Sequence, residues 1–297
     1  MRKILSATQM REIDRLTTER YATPSLLLME AAANASARHV AARFSHDLSR
    51  KNALVLCGRG NNGGDGAALA RALWTQGAHV DVVLFGLVSE TKGDAAVNFE
   101  IVRRLASFEA GSSTRPSPLT FVECVEPDEW ERLASARHNY DIIVDALYGT
   151  GLTRPLEGIG AQVVAHLELV GKAREHARQP TPLVVSLDLP SGLDADQPEV
   201  IGPTVRADMT VTFTAPKAAN VLPPASHFNG ELFIAEIGSP PSLVEAATSN
   251  LFLVEDADAR EWLEATRYAH GSYKNTHGHV LVVAGSRGMA GAAVLCT

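Results

Sequence analysis

Seven short apolar runs, spaced by helix-like stretches, constrain this chain more than any other feature of its sequence. They are ALVLC (53–57), HVDVVLF (79–85), LTFVEC (119–124), DIIVDAL (141–147), PLVVSLD (182–188), MTVTFT (209–214) and GELFIAEI (230–237). Several are Val-rich and almost continuously apolar, as parallel strands covered on both faces tend to be. Helical patterns lie between most of them, over 66–76, 92–106, 128–138 and 159–176. Alternation of this kind implies an α/β fold with a doubly wound, mostly parallel sheet. Ahead of the first run, Ser6 and Gln9 form a capping box for a helix over 8–20. Thr23-Pro24 then offers an N-cap and a proline at N1 for a long Ala/Leu helix reaching about residue 44.

The 297 residues exceed one average domain. The segment 238–250 (GSPPSLVEAATSN) reads as an inter-domain linker, after which HVLVVAGSRGMAGAAVLCT (279–297) restarts as strand, glycine loop and first helical turns. Such a fragment cannot bury a core of its own, so the expectation is a second α/β domain cut short. The segment 111–118 (GSSTRPSP) is a Ser/Pro loop, and 171–182 is the polar end of a helix with its connection. A net charge of −7 carries no footprint of nucleic acid or an acidic membrane surface. No apolar run approaches the ~20 residues that span a bilayer. The start MRKILSATQM turns polar too soon for a signal peptide. Cys57, Cys124 and Cys296 lie far apart without a C-x-x-C, against a disulfide framework or zinc site and in keeping with a reducing cytosol. A cytoplasmic protein with small-molecule or protein partners is expected.

In an open parallel sheet, ligands bind outside the carboxyl ends of the strands. Four unusual turns follow strands there: GRGNNGGDG (58–66), DALYGTGLTRP (145–155), DLPSGLDAD (188–196) and TAPKAAN (214–220). Gly58, Gly60 and Gly63 spell G-x-G-x-x-G, yet the second strand lacks the acid at its far end that a dinucleotide site uses, Asp81 standing at the wrong end. A P-loop is excluded by the missing G-K-[ST]. Asp65 would repel phosphate, although it suits a helix start; a plain strand-to-helix turn would leave Asn61 and Asn62 without a reason. Gly149-Thr150-Gly151 can present backbone N–H groups to a phosphate, with Arg154 adding charge; the plainer alternative is a loop with a surface arginine. Asp188 ends a buried strand before a proline turn, which suits either acid–base work at the sheet edge or an Asx-type turn.

Three acids at one crevice (Asp65, Asp145, Asp188) call for a cation or a proton among them. The Asn62 amide, Asp145 carboxylate and Ser191 hydroxyl are hard oxygen donors that suit an alkali or alkaline-earth ion rather than zinc or copper. The low carboxylate count argues against tight calcium binding. Glu30 and Asn34 share a helix face and read as packing; Lys217 reads equally as a substrate-facing cation or a solvated lysine. His39, His46, His79, His138, His166 and His227 have no partners in sequence and receive no role.

Taken in order, LME (28–30), GRGNNGGDG, DALYGTG (145–151), LDLPSG (187–192) and TFTAPK (212–217) resemble the motifs of the NAD(P)HX epimerase family, also called the YjeF N-terminal family, over about residues 5–240. KNTHGHVLVVAGSRGMAGAAVL (274–295) resembles the opening of an ADP-dependent NAD(P)HX dehydratase domain with a ribokinase-like fold. The resemblance implies a three-layer αβα, Rossmann-like epimerase domain over 1–240, then a linker and truncated dehydratase start over 241–297. It implies as substrates NADHX and NADPHX, hydrated at C6 of the nicotinamide, whose R and S forms the epimerase interconverts. ADP or ATP would serve only the dehydratase part, whose key motifs are expected beyond Thr297. Substrate contacts are implied at Asn61, Asn62, Gly63, Gly64, Asp65, Gly149, Thr150, Gly151, Leu152, Thr153, Arg154, Pro155, Asp188 and Ala292. A potassium ion is implied at Asn62, Asp145 and Ser191, with Asp188 as the catalytic acid or base and a homodimer as the assembly. Ala33 departs from a common glycine, Tyr148 from phenylalanine, and Ala218-Ala219 from Pro-Gly. A non-catalytic binding module on this fold is the rival reading, although such a scaffold is expected to lose the acids that remain here.

Overall fold

Each of the seven apolar runs becomes a strand of one sheet in the computed structural model: β1 (Asn52–Cys57), β2 (His79–Phe85), β3 (Leu119–Cys124), β4 (Ile142–Ala146), β5 (Leu183–Leu187), β6 (Met209–Phe213) and β7 (Glu231–Ala235). The structure describes residues 1–109, 118–136, 139–177, 181–267, 269–273, 276, 278–279, 281–288 and 290–295. Most of the expected Ser/Pro loop, His138, part of the 171–182 connection and Cys296 lie outside the described residues. The strand order is β3-β2-β1-β4-β5-β6-β7 and every pairing is parallel. From β1 the chain winds outward through β2 and β3, then returns to β4 on the other side of β1. That reversal is the topological switch point, where a crevice opens beyond the carboxyl ends.

The strand period of two explains the layers. Ala53, Val55 and Cys57 of β1 join one apolar cluster, whereas Leu54 and Leu56 join another. The first cluster is closed by α2 (Ser25–Arg43), α3 (Asn61–Thr75) and α4 (Gly93–Glu109), through side chains such as Val40, Leu73 and Phe99. The second is closed by α5 (Pro127–Ala136) and α6 (Gly158–Ala177), through Trp130, Val163 and Val164. Each fully enclosed side chain of this size contributes about 1.5–3 kcal/mol. The result is a three-layer αβα fold.

α1 (Ala7–Tyr21) carries the expected Ser6–Gln9 capping box. α2 begins at Ser25 with Pro24 as its cap, one residue later than expected, because Pro24 sits at ψ 134°, outside the helical region. The larger difference is α3. It starts at Asn61, not at residue 66, so Gly63, Gly64 and Gly66 lie inside its first two turns. They serve close approach: a Cβ on Gly66 would lie 2.5 Å from Ala146 Cβ and 2.9 Å from Cys57 Sγ.

Residues Lys3–Leu253 form one compact unit, and Met1–Arg2 with Val254–Thr297 form another. The division therefore falls later than the expected 240/241 boundary. The reason lies in the segment read as a linker, which folds into α8 (Pro241–Ala246), after the one-turn α7 (Ala218–Val221). Leu243 of α8 is buried with Leu5, Met10, Ile13 and Ala215. In the other unit, α9 (Asp256–Ala265) precedes the short α10 (Gly291–Leu295). Among the described residues of 279–286 none is in a strand; Leu281 and Val283 are 85% and 87% exposed, without a neighbouring strand to pair with. Among the described residues, no helix is long and apolar enough to cross a membrane.

Candidate active site

A cavity of about 670 Å³ opens beyond the carboxyl ends of β1, β4, β5 and β6, within the usual range for small-molecule sites. Its floor begins at the glycine turn after β1. A Cβ on Gly58 would lie 2.0 Å from the Leu147 carbonyl oxygen, and one on Gly63 1.7 Å from that of Gly58. Only glycine lets these two strand-end turns touch, and the contact sets the start of α3 against the loop after β4. Asn62 is thereby carried inside. It is 9% exposed, and neither its amide oxygen nor its amide nitrogen has a hydrogen-bond partner among the described residues. Gly149 lies over it: a Cβ there would approach Asn62 Cβ and Cγ to 3.3 Å.

Asp145, the penultimate residue of β4, is fully buried. Ser186 Oγ and the Ser191 N–H each donate to its Oδ2 at 2.8 Å, Ser191 Oγ donates to Oδ1 at 2.5 Å, and the Leu147 N–H reaches Oδ1 at 3.4 Å. Burial pushes this carboxyl above its ordinary range, and the serine and backbone donors pull it back. Ser191 Oγ also accepts the Tyr148 N–H at 2.9 Å. The β4 and β5 loops are thus stitched together through one serine.

Asp188 follows β5 at φ +64°, and Thr214 follows β6 at φ +62°. Both are non-glycine residues in the left-handed region, each spanned by a one-residue turn: Leu189 N–H to Leu187 C=O at 2.8 Å, Ala215 N–H to Phe213 C=O at 2.7 Å. Such γ-turns are strained, and strain of this kind concentrates at functional sites. The first bends the Asp188 carboxylate toward β6, where it accepts Thr212 Oγ1 at 3.0 Å and the Phe213 N–H at 3.4 Å. Lys217 Nζ donates to the same oxygen and also to Thr212 Oγ1 at 2.9 Å and the Phe213 carbonyl at 3.3 Å. Lys217 is 1% exposed, so it is neither solvated nor free. It is the fixed counter-charge of Asp188.

Two further carboxyls face this pair. Burial drives Asp65 of α3 well above the ordinary carboxylate range, with Asp188 and Asp14 adding to the rise and Lys217 opposing it. Asp14 of α1 is raised to about 6 by burial; Lys217 works against the rise and Asp188 adds to it.

Of the residues singled out from the sequence, Asn61, Asn62 and Asp65 line the cavity from α3, Gly149, Thr150, Gly151 and Leu152 from the loop after β4, and Asp188 from the edge of β5. Gly63 and Gly64 lie beneath the wall, Gly64 packed on Ala95 and Met29. Thr153, Arg154 and Pro155 are exposed and outside the wall; Pro155 instead packs on Gly202, whose Cβ would fall 2.9 Å from it. Asp145 and Ser191 stand behind the wall as a buried pair. Ala292 lies in α10, in the other unit. Glu30 pairs with Arg71 of α3 at 2.5 Å and accepts from Asn34 at 3.2 Å, which ties α2 to α3. Asp14 was not legible as a site residue, although one signal exists. It sits between Met10, Ile13 and Thr17, all buried on one face of α1, so it is an acid on the inward stripe.

Residues 25–219 match the family described as YjeF-related protein N-terminus. The bifunctional NAD(P)H-hydrate repair enzyme of Moorella thermoacetica is 34% identical, the match covering 98% of this chain and 51% of that protein. The NAD(P)H-hydrate epimerase of Rhodopirellula baltica is 35% identical over 81% of this chain and 86% of its own. That of Weissella koreensis is 34% identical over 82% and 96%. The chain spans about half the length of the bifunctional relatives it matches. Among solved structures, yeast ynu0 superposes with a TM-score of 0.60 at 22% identity, covering 86% of this chain and 97% of its own, a likeness of fold.

Proposed function

The chain belongs to the family of YjeF-related protein N-termini, and from that premise we propose that it epimerises the R and S forms of NAD(P)H hydrate at C6 of the nicotinamide ring. The observation that carries the reading is one cavity in which a strained, lysine-paired Asp188 faces two carboxyls of raised proton affinity. In the hydrate, C6 bears both a hydroxyl and the ring nitrogen. The nitrogen lone pair expels the hydroxyl, leaving an iminium, and water returns from the other face. Asp188 is the proposed acid–base group: its carboxylate stabilises the cationic ring and handles the proton of the departing or arriving water. Lys217, Thr212 and the Phe213 N–H fix its orientation. The Gly149–Gly151 loop is read as the phosphate-facing side of the site.

The donor set suits the potassium ion that the family implies. Asn62 offers a buried amide oxygen with no partner among the described residues, beside Gly149. Asp145 and Ser191 supply further hard oxygens, and the weakest contact on Asp145, from the Leu147 N–H at 3.4 Å, leaves one lone pair lightly held. Asn62, Asp145 and Ser191 would hold the ion. When bound, it supplies a fixed positive charge that neutralises Asp145 and steadies the neighbouring loops. Residues 254–297 are read as part of a second, ADP-dependent dehydratase domain, for which alone ADP or ATP would be needed. A cytoplasmic homodimer is the proposed setting.

The test is the R-to-S exchange rate of NADHX, followed by chromatography with purified chain in potassium and in potassium-free buffer. Exchange well above the spontaneous rate, slower without potassium, is expected. A folded sample that leaves the spontaneous rate unchanged would refute the reading.

A further inference from the structure

α1 brings to the cavity a carboxyl that no strand-end loop supplies. Asp14 lines the wall beside Met10 and Arg11, and its Oδ1 is buried with no hydrogen-bond partner among the described residues. An unpartnered buried oxygen is costly, more so if charged, and calls for a proton or a ligand. The helix that carries it is pinned at its start. Ser6 and Gln9 close the capping box, the Ala7 N–H donates to Asp196 Oδ1 at 2.7 Å, and the Leu5 N–H donates at 2.9 Å to the carbonyl of Pro216, the residue before Lys217. Asp14 is therefore fixed relative to the Asp188–Lys217 pair. The charged groups that face it are Lys217 and Asp188 from the sheet edge, Asp65 from α3 and Arg11 from its own helix. α8, which packs on α1, meets it through Leu243, and its one charged residue, Glu245, is exposed.

Resting on the epimerase reading of this cavity, we infer that Asp14 is a second acid–base catalytic residue, which protonates the hydroxyl leaving C6 of one epimer while Asp188 receives the proton of the water that adds on the other face. The C6–O bond breaks with its electron pair on oxygen, that oxygen takes the Asp14 proton, and water departs. The ring nitrogen lone pair forms the C6=N bond. A water oxygen then bonds to C6 from the opposite side, the C=N pair returns to nitrogen, and the surplus proton passes to the Asp188 carboxylate. The reverse reaction exchanges the two roles, and cavity water returns the proton between turnovers. No oxidant or reductant is needed. Burial, which raises Asp14 to about 6, keeps its proton available in mildly acidic solution.

The experiment is the pH profile of kcat and KM for NADHX exchange in wild type, Asp14→Asn and Asp14→Glu, with thermal midpoints as a control for folding. Wild-type kcat/KM is expected to fall as pH rises through about 6. Asp14→Asn should lose that limb and about 10²–10⁴ in kcat, with KM little changed, and Asp14→Glu should recover part of the rate. Wild-type kcat and an unaltered profile in Asp14→Asn would overturn the inference and leave the epimerase intact. So would a loss confined to KM, or one equal at every pH and unrelieved by glutamate. Should Asp14→Asn not fold, a wild-type profile flat through this range overturns it. A wild-type chain that does not accelerate exchange overturns the epimerase reading itself, and the role of Asp14 with it.

Discussion

Lys217→Met keeps the aliphatic stem and deletes one charge from the centre of the cavity wall. The three ammonium protons go to Asp188 Oδ1, Thr212 Oγ1 and the Phe213 carbonyl, and the side chains of the ion pair are 1% and 13% exposed. Removing one partner of a buried pair costs about 3–5 kcal/mol, mainly from the charge left behind. Asp188 keeps its Thr212 and Phe213 contacts and some cavity water, so the lower end, about 3 kcal/mol, is expected. Asp188→Asn strands the ammonium instead and should likewise cost about 3 kcal/mol. The double variant strands no charge. It should therefore cost less than the sum of the two by about 2 kcal/mol or more. Urea unfolding at neutral pH, with unchanged m-values, measures all three without reference to turnover. Lys217 also opposes the rise at Asp14, so Lys217→Met should move the Asp14 titration above about 6, read by NMR of its carboxyl. Losses that add within about 0.5 kcal/mol would refute a coupled pair, and with it the account of how Asp188 is held.

Asp14 also predicts a pH dependence of stability. Its carboxyl rises from 3.8 to about 6 on folding, so the native state holds the proton more tightly and its stabilising effect, present at low pH, is lost as pH climbs through that window. The shift corresponds to about 3 kcal/mol at most, reduced to about 2 by solvent in the cavity. Asp14→Asn should flatten this part of the stability curve in urea titrations, and a parallel curve would count against a raised Asp14. Gly63→Ala, whose Cβ would strike the Gly58 carbonyl at 1.7 Å, should lose about 3 kcal/mol or more. Gly60→Ala meets nothing within 4 Å and should stay within about 0.5 kcal/mol; equal thermal midpoints for the two would refute the close-contact account. Potassium chloride in place of choline chloride should raise the thermal midpoint, by about 2.7 kcal/mol in stability at a hundredfold excess over Kd. Asn62→Ala should abolish that rise, and a shift unchanged in the variant would remove Asn62 from the ion site.

All seven strands were legible because a strand buried on both faces must be a continuous apolar run, and parallel pairing then dictates that the turns after those runs share one edge. The start of α3 was not. Glycine has poor helix propensity, so Gly63 and Gly64 read as loop ahead of a helix expected from residue 66, whereas the structure spends them on close contacts that a Cβ would block. α8 was hidden for a related reason: its two prolines suggest a linker, and only the burial of Leu243 against α1 shows a packed turn.

The acids separate in the same way. Asp145 holds four protein donors, Asp188 holds an ammonium with a hydroxyl and an N–H, and Asp14 holds an oxygen with no hydrogen-bond partner among the described residues. The partners of Asp145 and Asp188 come largely from adjacent strand ends, so the motifs around them carried a local trace of their task. The surroundings of Asp14 are assembled by the docking of α1 against residues far along the chain, and its own helix reads as an ordinary amphipathic one. What a carboxyl can do with a proton depends on its neighbours rather than on its own place in a motif. A sequence therefore reveals the acids whose neighbours are local, and leaves to the fold those whose neighbours are not.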